Sequence, residues 1–130
     1  MRDILYNNSA LIVLRPPQST VQIEVMYADE MLWFSQKVIV KVFGTTVANV
    51  NMHLKNILQE SDIQNGQTIK DFLVVQKEGT RVVRRKIWFY NLDTVVTVGL
   101  RINRKQAAQF RHWAVQMLRR LNAKVEKAAL

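Results

Sequence analysis

From Ser35 to Glu60 the chain reads SQKVIVKVFGTTVANVNMHLKNILQE, two apolar-periodic stretches hinged at Gly44. Glycine turns the backbone at positive φ without steric cost. The spacing therefore predicts two short helices meeting at a tight turn, the arrangement of a DNA-reading helix-turn-helix. Before the turn, Ile39, Val42 and Phe43 form an apolar face; after it, Val47, Val50, Leu54, Ile57 and Leu58 recur at 3, 4, 3 and 1. That spacing puts them on one side of a helix. Ser35 and Thr46 stand where N-caps are expected, because a hydroxyl there accepts an orphan amide hydrogen bond of the first turn. The opposite side of the second helix carries Ala48, Asn49, Asn51, Met52 and Lys55. Two amides, a small residue and a cation suit a groove lined with base edges and phosphates. The alternative reading of the same pattern is plain packing, since amphipathic helix pairs around a glycine also occur in proteins that never touch DNA.

The chain has 130 residues, of which 48% are hydrophobic; this is enough for one domain with a real core and too apolar for a disordered chain. There is no cysteine, which excludes disulfides and thiolate metal sites and fits a reducing compartment. The N-terminal stretch holds only five consecutive apolar residues, Ala10 to Leu14, short of a secretory signal, and no run approaches the roughly 20 residues of a membrane-spanning helix. A cytoplasmic protein without membrane contact is expected.

The net charge is +9 and the pI about 10.3. Residues 1–66 hold five basic and six acidic groups, a balance of −1, whereas residues 67–130 hold fourteen basic and four acidic, a balance of +10. The field thus comes from the second half, and an asymmetry of this kind suggests a polyanionic partner.

Along the chain, Ala10–Leu14 and the alternating Val21–Tyr27 predict two strands, with Val21, Ile23 and Val25 on one face. Arg15 to Ser19, with adjacent prolines, makes the turn between them, and Ala28-Asp29-Glu30 a second turn. Met31 to Phe34 leads into the first helix. Ser61 to Gly66 breaks the second helix. Lys70–Gln76 and Thr80–Tyr90 read as a hairpin around Lys77-Glu78-Gly79. Asn91 to Val98 predicts a short helix, started by Asn91 or Asp93 and ended by Gly99. Asn103 to about Lys127 is a long helix, capped by Asn103, with Ala107, Phe110, Ala114, Met117, Leu121 and Ala128 at three- and four-residue spacing.

A hairpin directly after a helix-turn-helix is the wing of a winged helix. Lys77, Arg81, Arg84, Arg85 and Lys86 would then face phosphates, which fix position and carry the salt-sensitive affinity but do not read sequence. The alternative is a basic, solvated strand. The long helix admits three readings: a core helix packing Phe110, Trp113, Met117 and Leu121, a homodimer seam, or an alanine-rich amphipathic membrane helix. The first is preferred. The two histidines, His53 and His112, sit in no HExxH pair, and no GxSxG elbow, phosphate-binding glycine loop or paired carboxylates appear. No catalytic residue, metal site or cofactor is expected. His53 reads as a packing or phosphate-facing residue, and Trp33, Trp88 and Trp113, each flanked by apolar residues, read as core.

The segments LWFSQKVIVKVFGTTVANVNMHLKNILQE and FYNLDTVVTVGLRINRKQAAQFRHWAVQMLR resemble the N-terminal region of the RhuM family of bacterial virulence-associated proteins. The resemblance runs from about Val21 to Leu121. Its most specific pieces are HLKNI (His53–Ile57), YNLD (Tyr90–Asp93), VGLRIN (Val98–Asn103) and QFRHWA (Gln109–Ala114). The second segment is also similar, more distantly, to the Bro-N domains of phage antirepressors. The resemblance implies a DNA-binding protein carried on mobile or pathogenicity-island DNA. Family members usually carry a small residue where Val40 stands, an acidic residue where Lys41 stands and an arginine where Met52 stands. The first and last departures weaken sequence-specific reading. Because the family's proteins run longer, a fragment or truncated copy lacking a C-terminal effector region is expected.

The sequence thus predicts one α+β domain over residues 1–130, a winged-helix-like helix-turn-helix. Strands occupy 10–34, the helix-turn-helix 35–60, a basic hairpin 70–90 and the long helix 103–127. Thr46, Ala48, Asn49, Asn51 and Lys55 would face the major groove of double-stranded DNA, and Lys77, Arg81, Arg84, Arg85 and Lys86 would hold phosphates. The competing expectation is an antirepressor-type module that binds a protein partner.

Overall fold

The computed structural model describes residues 4–6, 9–17, 19–60 and 68–129. Along these run β1 (Ile4–Tyr6), β2 (Ser9–Leu14), β3 (Ile23–Ala28), β4 (Met31–Ser35), α1 (Gln36–Phe43) and α2 (Val47–Glu60). They are followed by β5 (Ile69–Glu78), β6 (Arg81–Asn91), α3 (Leu92–Ile102) and α4 (Arg104–Ala129). The expected break at Ser61 to Gly66 lies outside the described residues. The strands form one antiparallel sheet in the order β1-β2-β3-β4-β6-β5. The α+β class and the long C-terminal helix are as the sequence predicts. Met31–Ser35 is a strand in its own right rather than a lead-in. It pairs with β3 through Met26↔Trp33 and with β6 through Phe34↔Tyr90.

Side chains alternate across each strand, so the sheet has two apolar faces. On one, Ile23, Val25, Leu32 and Phe34 meet Val38, Ile39 and Phe43 of α1, Val50, Leu54 and Ile57 of α2, Val95 and Val98 of α3, and Ala107, Phe110 and Ala114 of α4. On the other, Leu11, Met26, Ala28, Trp33, Val74 and Phe89 form a second buried cluster. Leu11 and Val74 belong to strands far apart in the sheet order, so the sheet curls until this face closes on itself.

Local chemistry sets the helix ends. The Ser35 hydroxyl accepts the Val38 N–H at 3.3 Å, and the Thr46 hydroxyl accepts that of Asn49 at 3.1 Å. The Asn91 side chain accepts the Thr94 N–H at 2.9 Å, and that of Asn103 accepts the Gln106 N–H at 3.1 Å. Gly44 closes α1 in the left-handed region (φ 58°), with its N–H and that of Thr45 on the Val40 carbonyl.

Four expectations need correction. Val47 belongs to no buried face: it is 60% exposed, because it stands in the first turn of α2, before that helix reaches the core. Val21 likewise lies exposed ahead of β3. The β5–β6 hairpin turns at Gly79-Thr80, with Gly79 at φ 62°, and Lys77 and Glu78 remain in the ladder opposite Val82 and Arg81. Gly99 does not end α3 but lies buried inside it; a Cβ there would sit 2.4 Å from the Phe43 ring and 3.0 Å from the Ala107 Cβ. Position 99 is therefore glycine for closeness of approach, not for φ.

α4 is primarily a core helix. Ala107, Phe110 and Ala114 are buried, and Trp113, Leu118 and Leu121 pack against the same core. Ala128, beyond that contact, is exposed. Farther along, the Tyr27 hydroxyl donates to the Asn122 Oδ1 at 2.5 Å, tying the outer half of α4 to β3. Burial, and then the charge of Glu30, raise the pKa of that hydroxyl above the ordinary tyrosine value.

Phe43 is held edge-on to Phe110 at 5.8 Å and has little freedom to yield. Gly99→Ala is therefore expected to destabilise the protein by about 1–3 kcal/mol through overpacking, against the roughly 1 kcal/mol that alanine would contribute to an open helix. Urea unfolding measures the difference, and a variant as stable as the parent would refute the packing account.

Candidate nucleic-acid interface

The outer side of α2 is built from the residues the core does not take. Val50, Leu54 and Ile57 point inward, which leaves Ala48, Asn51, Met52 and Lys55 on a continuous exposed strip. Two of the expected groove-facing residues have other partners. Thr46 uses its hydroxyl as the N-cap, and the Asn49 side-chain amide donates to the Thr45 hydroxyl at 2.8 Å. Asn49 is half-buried and braces the turn, so Asn51 is the freer of the two amides. Half-buried His53 encloses its Nδ1 without a hydrogen-bond partner among the described residues.

The basic hairpin is two-sided. Tyr90 packs on the helix-covered core, whereas Phe89 and Ile87 belong to the second cluster. Alternation then puts Trp88, Lys86, Arg84 and Val82 on the helix side and Arg85 and Arg81 on the other. Lys77 pairs opposite Val82 and joins the helix side. The five cations expected to form one wing surface thus divide three and two, because Arg84 and Arg85 are consecutive in a strand.

They also differ in charge partners. Arg85 clasps Glu78 with two bonds, Nε at 2.7 Å and Nη2 at 3.0 Å. The bonds from Arg85 hold the Glu78 carboxyl below the usual carboxylate range. Lys86 stands 3.9 Å from Asp71. Lys77, Arg81 and Arg84 make no ion pair among the described residues. An exposed pair of this kind adds little stability, but it does reduce the charge Arg85 offers to a phosphate.

The two surfaces adjoin. The Gln36 side chain, in the first turn of α1, donates to the Val47 carbonyl at the start of α2 (3.4 Å). Gln36 also lines a cleft of about 440 Å³ with Lys37 and Lys41 of α1 and Lys86 and Trp88 of β6. Gln36 therefore touches the start of α2 and also borders the cleft that α1 shares with the hairpin. Trp88, expected in the core, is 59% exposed there. Its apolar neighbours Ile87 and Phe89 face the other side, so the strand alternation, and not the run of apolar letters, carried the signal. The α1 residues Gln36 and Lys37 were not singled out in the sequence because α1 reads as the supporting helix.

Arg104, Lys105, Arg111, Arg119, Arg120, Lys124 and Lys127 cover the outer faces of α4, all exposed. Among the described residues no group of three or more His, Asp or Glu could hold a metal ion, and no helix is long and apolar enough to cross a membrane.

No curated protein and no solved structure matches the chain. Residues 67–125 match the virulence protein RhuM family. The match takes in YNLD, VGLRIN and QFRHWA, that is, the basic hairpin, α3 and most of α4, and leaves HLKNI and the α1–α2 pair outside it. The family matched over residues 67–125 is the one the resemblance named.

Proposed function

We propose that the protein binds double-stranded DNA, laying α2 in the major groove and the helix side of the β5–β6 hairpin along the flanking phosphates. The observation that carries this reading is that Gln36 meets the start of α2, whose outer side exposes Ala48, Asn51 and Lys55, and also lines the cleft bordered by Lys86, which shares its side of the hairpin with Arg84 and Lys77. The strand order supports a winged-helix arrangement: β4 precedes the two helices, the hairpin follows them, and β6 inserts beside β4. The +10 balance of residues 67–130 supplies the long-range attraction, which is indifferent to sequence. Asn51 is the residue suited to read adenine through two hydrogen bonds. The RhuM-family match favours a regulator of a virulence-associated or mobile element, working on the bacterial chromosome in the cytoplasm.

A second reading is favoured by Val47 and Met52, which are 60% and 49% exposed on the same helix. Apolar side chains there suit a protein partner, as in an antirepressor-type module. A homodimer through α4 is less well supported, since its apolar stripe is taken up by the chain's own core as far as Leu121.

Binding to random duplex DNA across a salt series separates these readings. Affinity should fall steeply with salt. Arg84→Ala and Lys77→Ala should each reduce the slope of log K against log salt by about 1, whereas Arg85→Ala, already clasped by Glu78, should leave it nearly unchanged. Negligible binding at low salt would defeat the DNA reading and leave the protein-partner one. Among duplexes selected from a random pool, Asn51→Ala should cost about 1–3 kcal/mol of discrimination at one position; equal loss on all sequences would show that Asn51 does not read bases.

A further inference from the structure

We propose that the cleft between β6 and α1 holds one unpaired nucleobase stacked on Trp88, so that the protein favours DNA exposing such a base over intact duplex. This rests on the DNA-binding reading above and names the form of DNA that site prefers. Three observations carry it. Trp88 is left 59% exposed in a strand whose neighbouring residues Ile87 and Phe89 both contribute to a buried cluster, although a tryptophan ordinarily buries a large apolar area. It shares its side of the strand with Lys86 and Arg84, so cations run along the same face as the ring. It also lines a cleft of about 440 Å³, a size at which small ligands are commonly held.

The chemistry of the lining selects the occupant. Lys37, Lys41 and Lys86 outweigh the one acid, Glu24, the side-chain amides of Gln36 and Gln76 offer donors and acceptors, and Leu11, Val74, Ile87 and Phe89 of the second cluster supply an apolar part of the wall. A cationic rim around an aromatic face suits a polyanion that carries flat rings, which describes a nucleic-acid strand with its bases unpaired. An intact duplex keeps its base faces stacked on each other and would use only the cations. The Lys86–Asp71 separation of 3.9 Å is loose enough for Lys86 to turn to a phosphate.

The test uses the full chain and three fluorescently labelled probes: a short oligothymidine, a duplex with one extrahelical thymine, and the same duplex intact. The parent protein should bind the first two more tightly than the third. Trp88→Ala should weaken binding of the oligothymidine and the bulged duplex by about ten-fold, the scale of one lost base–aromatic stack, and leave the intact duplex nearly unchanged. Trp88→Phe should restore most of the loss. Because Trp88 is exposed, both variants should keep the parent's melting temperature. Equal affinity of Trp88→Ala and parent for the unpaired probes, with duplex binding intact, would overturn the stacking site alone. Failure of the parent to bind any of the three probes would overturn the DNA reading and the stacking site with it.

Discussion

Phe43 reaches Phe110 only because position 99 carries no side chain. Three helices and a strand meet at that contact: α1 through Phe43, α3 through Gly99, α4 through Phe110 and β4 through Phe34, whose ring lies 5.5 Å from that of Phe110. Aromatic pairs set edge-on add to the stabilisation from buried area alone, and interiors this dense transmit displacement rather than absorb it. The contact also crosses the boundary of the family match. Gly99 and Phe110 lie within residues 67–125, and Phe34 and Phe43 lie outside them. The α1–α2 pair is thus anchored in the matched segment by its own core residues, and the angle at which α2 presents its outer strip follows from how closely α1 approaches α3.

The motifs that carry the family resemblance are mostly scaffold. Asn91 of YNLD caps α3, Gly99 and Asn103 of VGLRIN admit Phe43 and cap α4, and Phe110 of QFRHWA fills the core. They specify how the hairpin leads into two helices and say little about what the outer surface binds. Apart from Lys55 of HLKNI, the surface proposed to touch DNA is made instead of residues between and beyond those motifs, where composition is set by solvent and partner rather than by packing.

What the sequence made legible was whatever depends on near neighbours. The caps at Ser35, Thr46, Asn91 and Asn103 and the turn at Gly44 are decided within a few residues, and each forms as predicted. What depends on distant chain was not legible. Val47 fits the periodic stripe of α2 but lies before the helix meets the core. Gly99 has the letter of a helix stop and the function of a contact site, which only the position of Phe43 explains. Trp88 sits in an apolar run, yet the sheet's curl buries Ile87 and Phe89 and leaves the intervening ring outside. The hairpin cations show the same limit. Their number was plain, but their division between two faces required knowing which of Phe89 and Tyr90 meets the helices.

That division separates two tasks that a basic DNA-binding surface must perform. Attraction at a distance depends on net charge and not on which side of a strand a cation occupies, so all fourteen basic residues after residue 66 contribute to it. Positioning depends on charges that lie beside the reading element and remain free to move to a phosphate. Arg81 and Arg85 fall on the far side, and Arg85 is further committed to Glu78; Lys77 and Arg84 meet both requirements. The near-neutral first half then need not attract DNA at all. In the proposed complex its Asn51 and Lys55 would need only to be held rigidly where the second half brought the duplex, and the Phe43–Gly99–Phe110 contact would supply that rigidity.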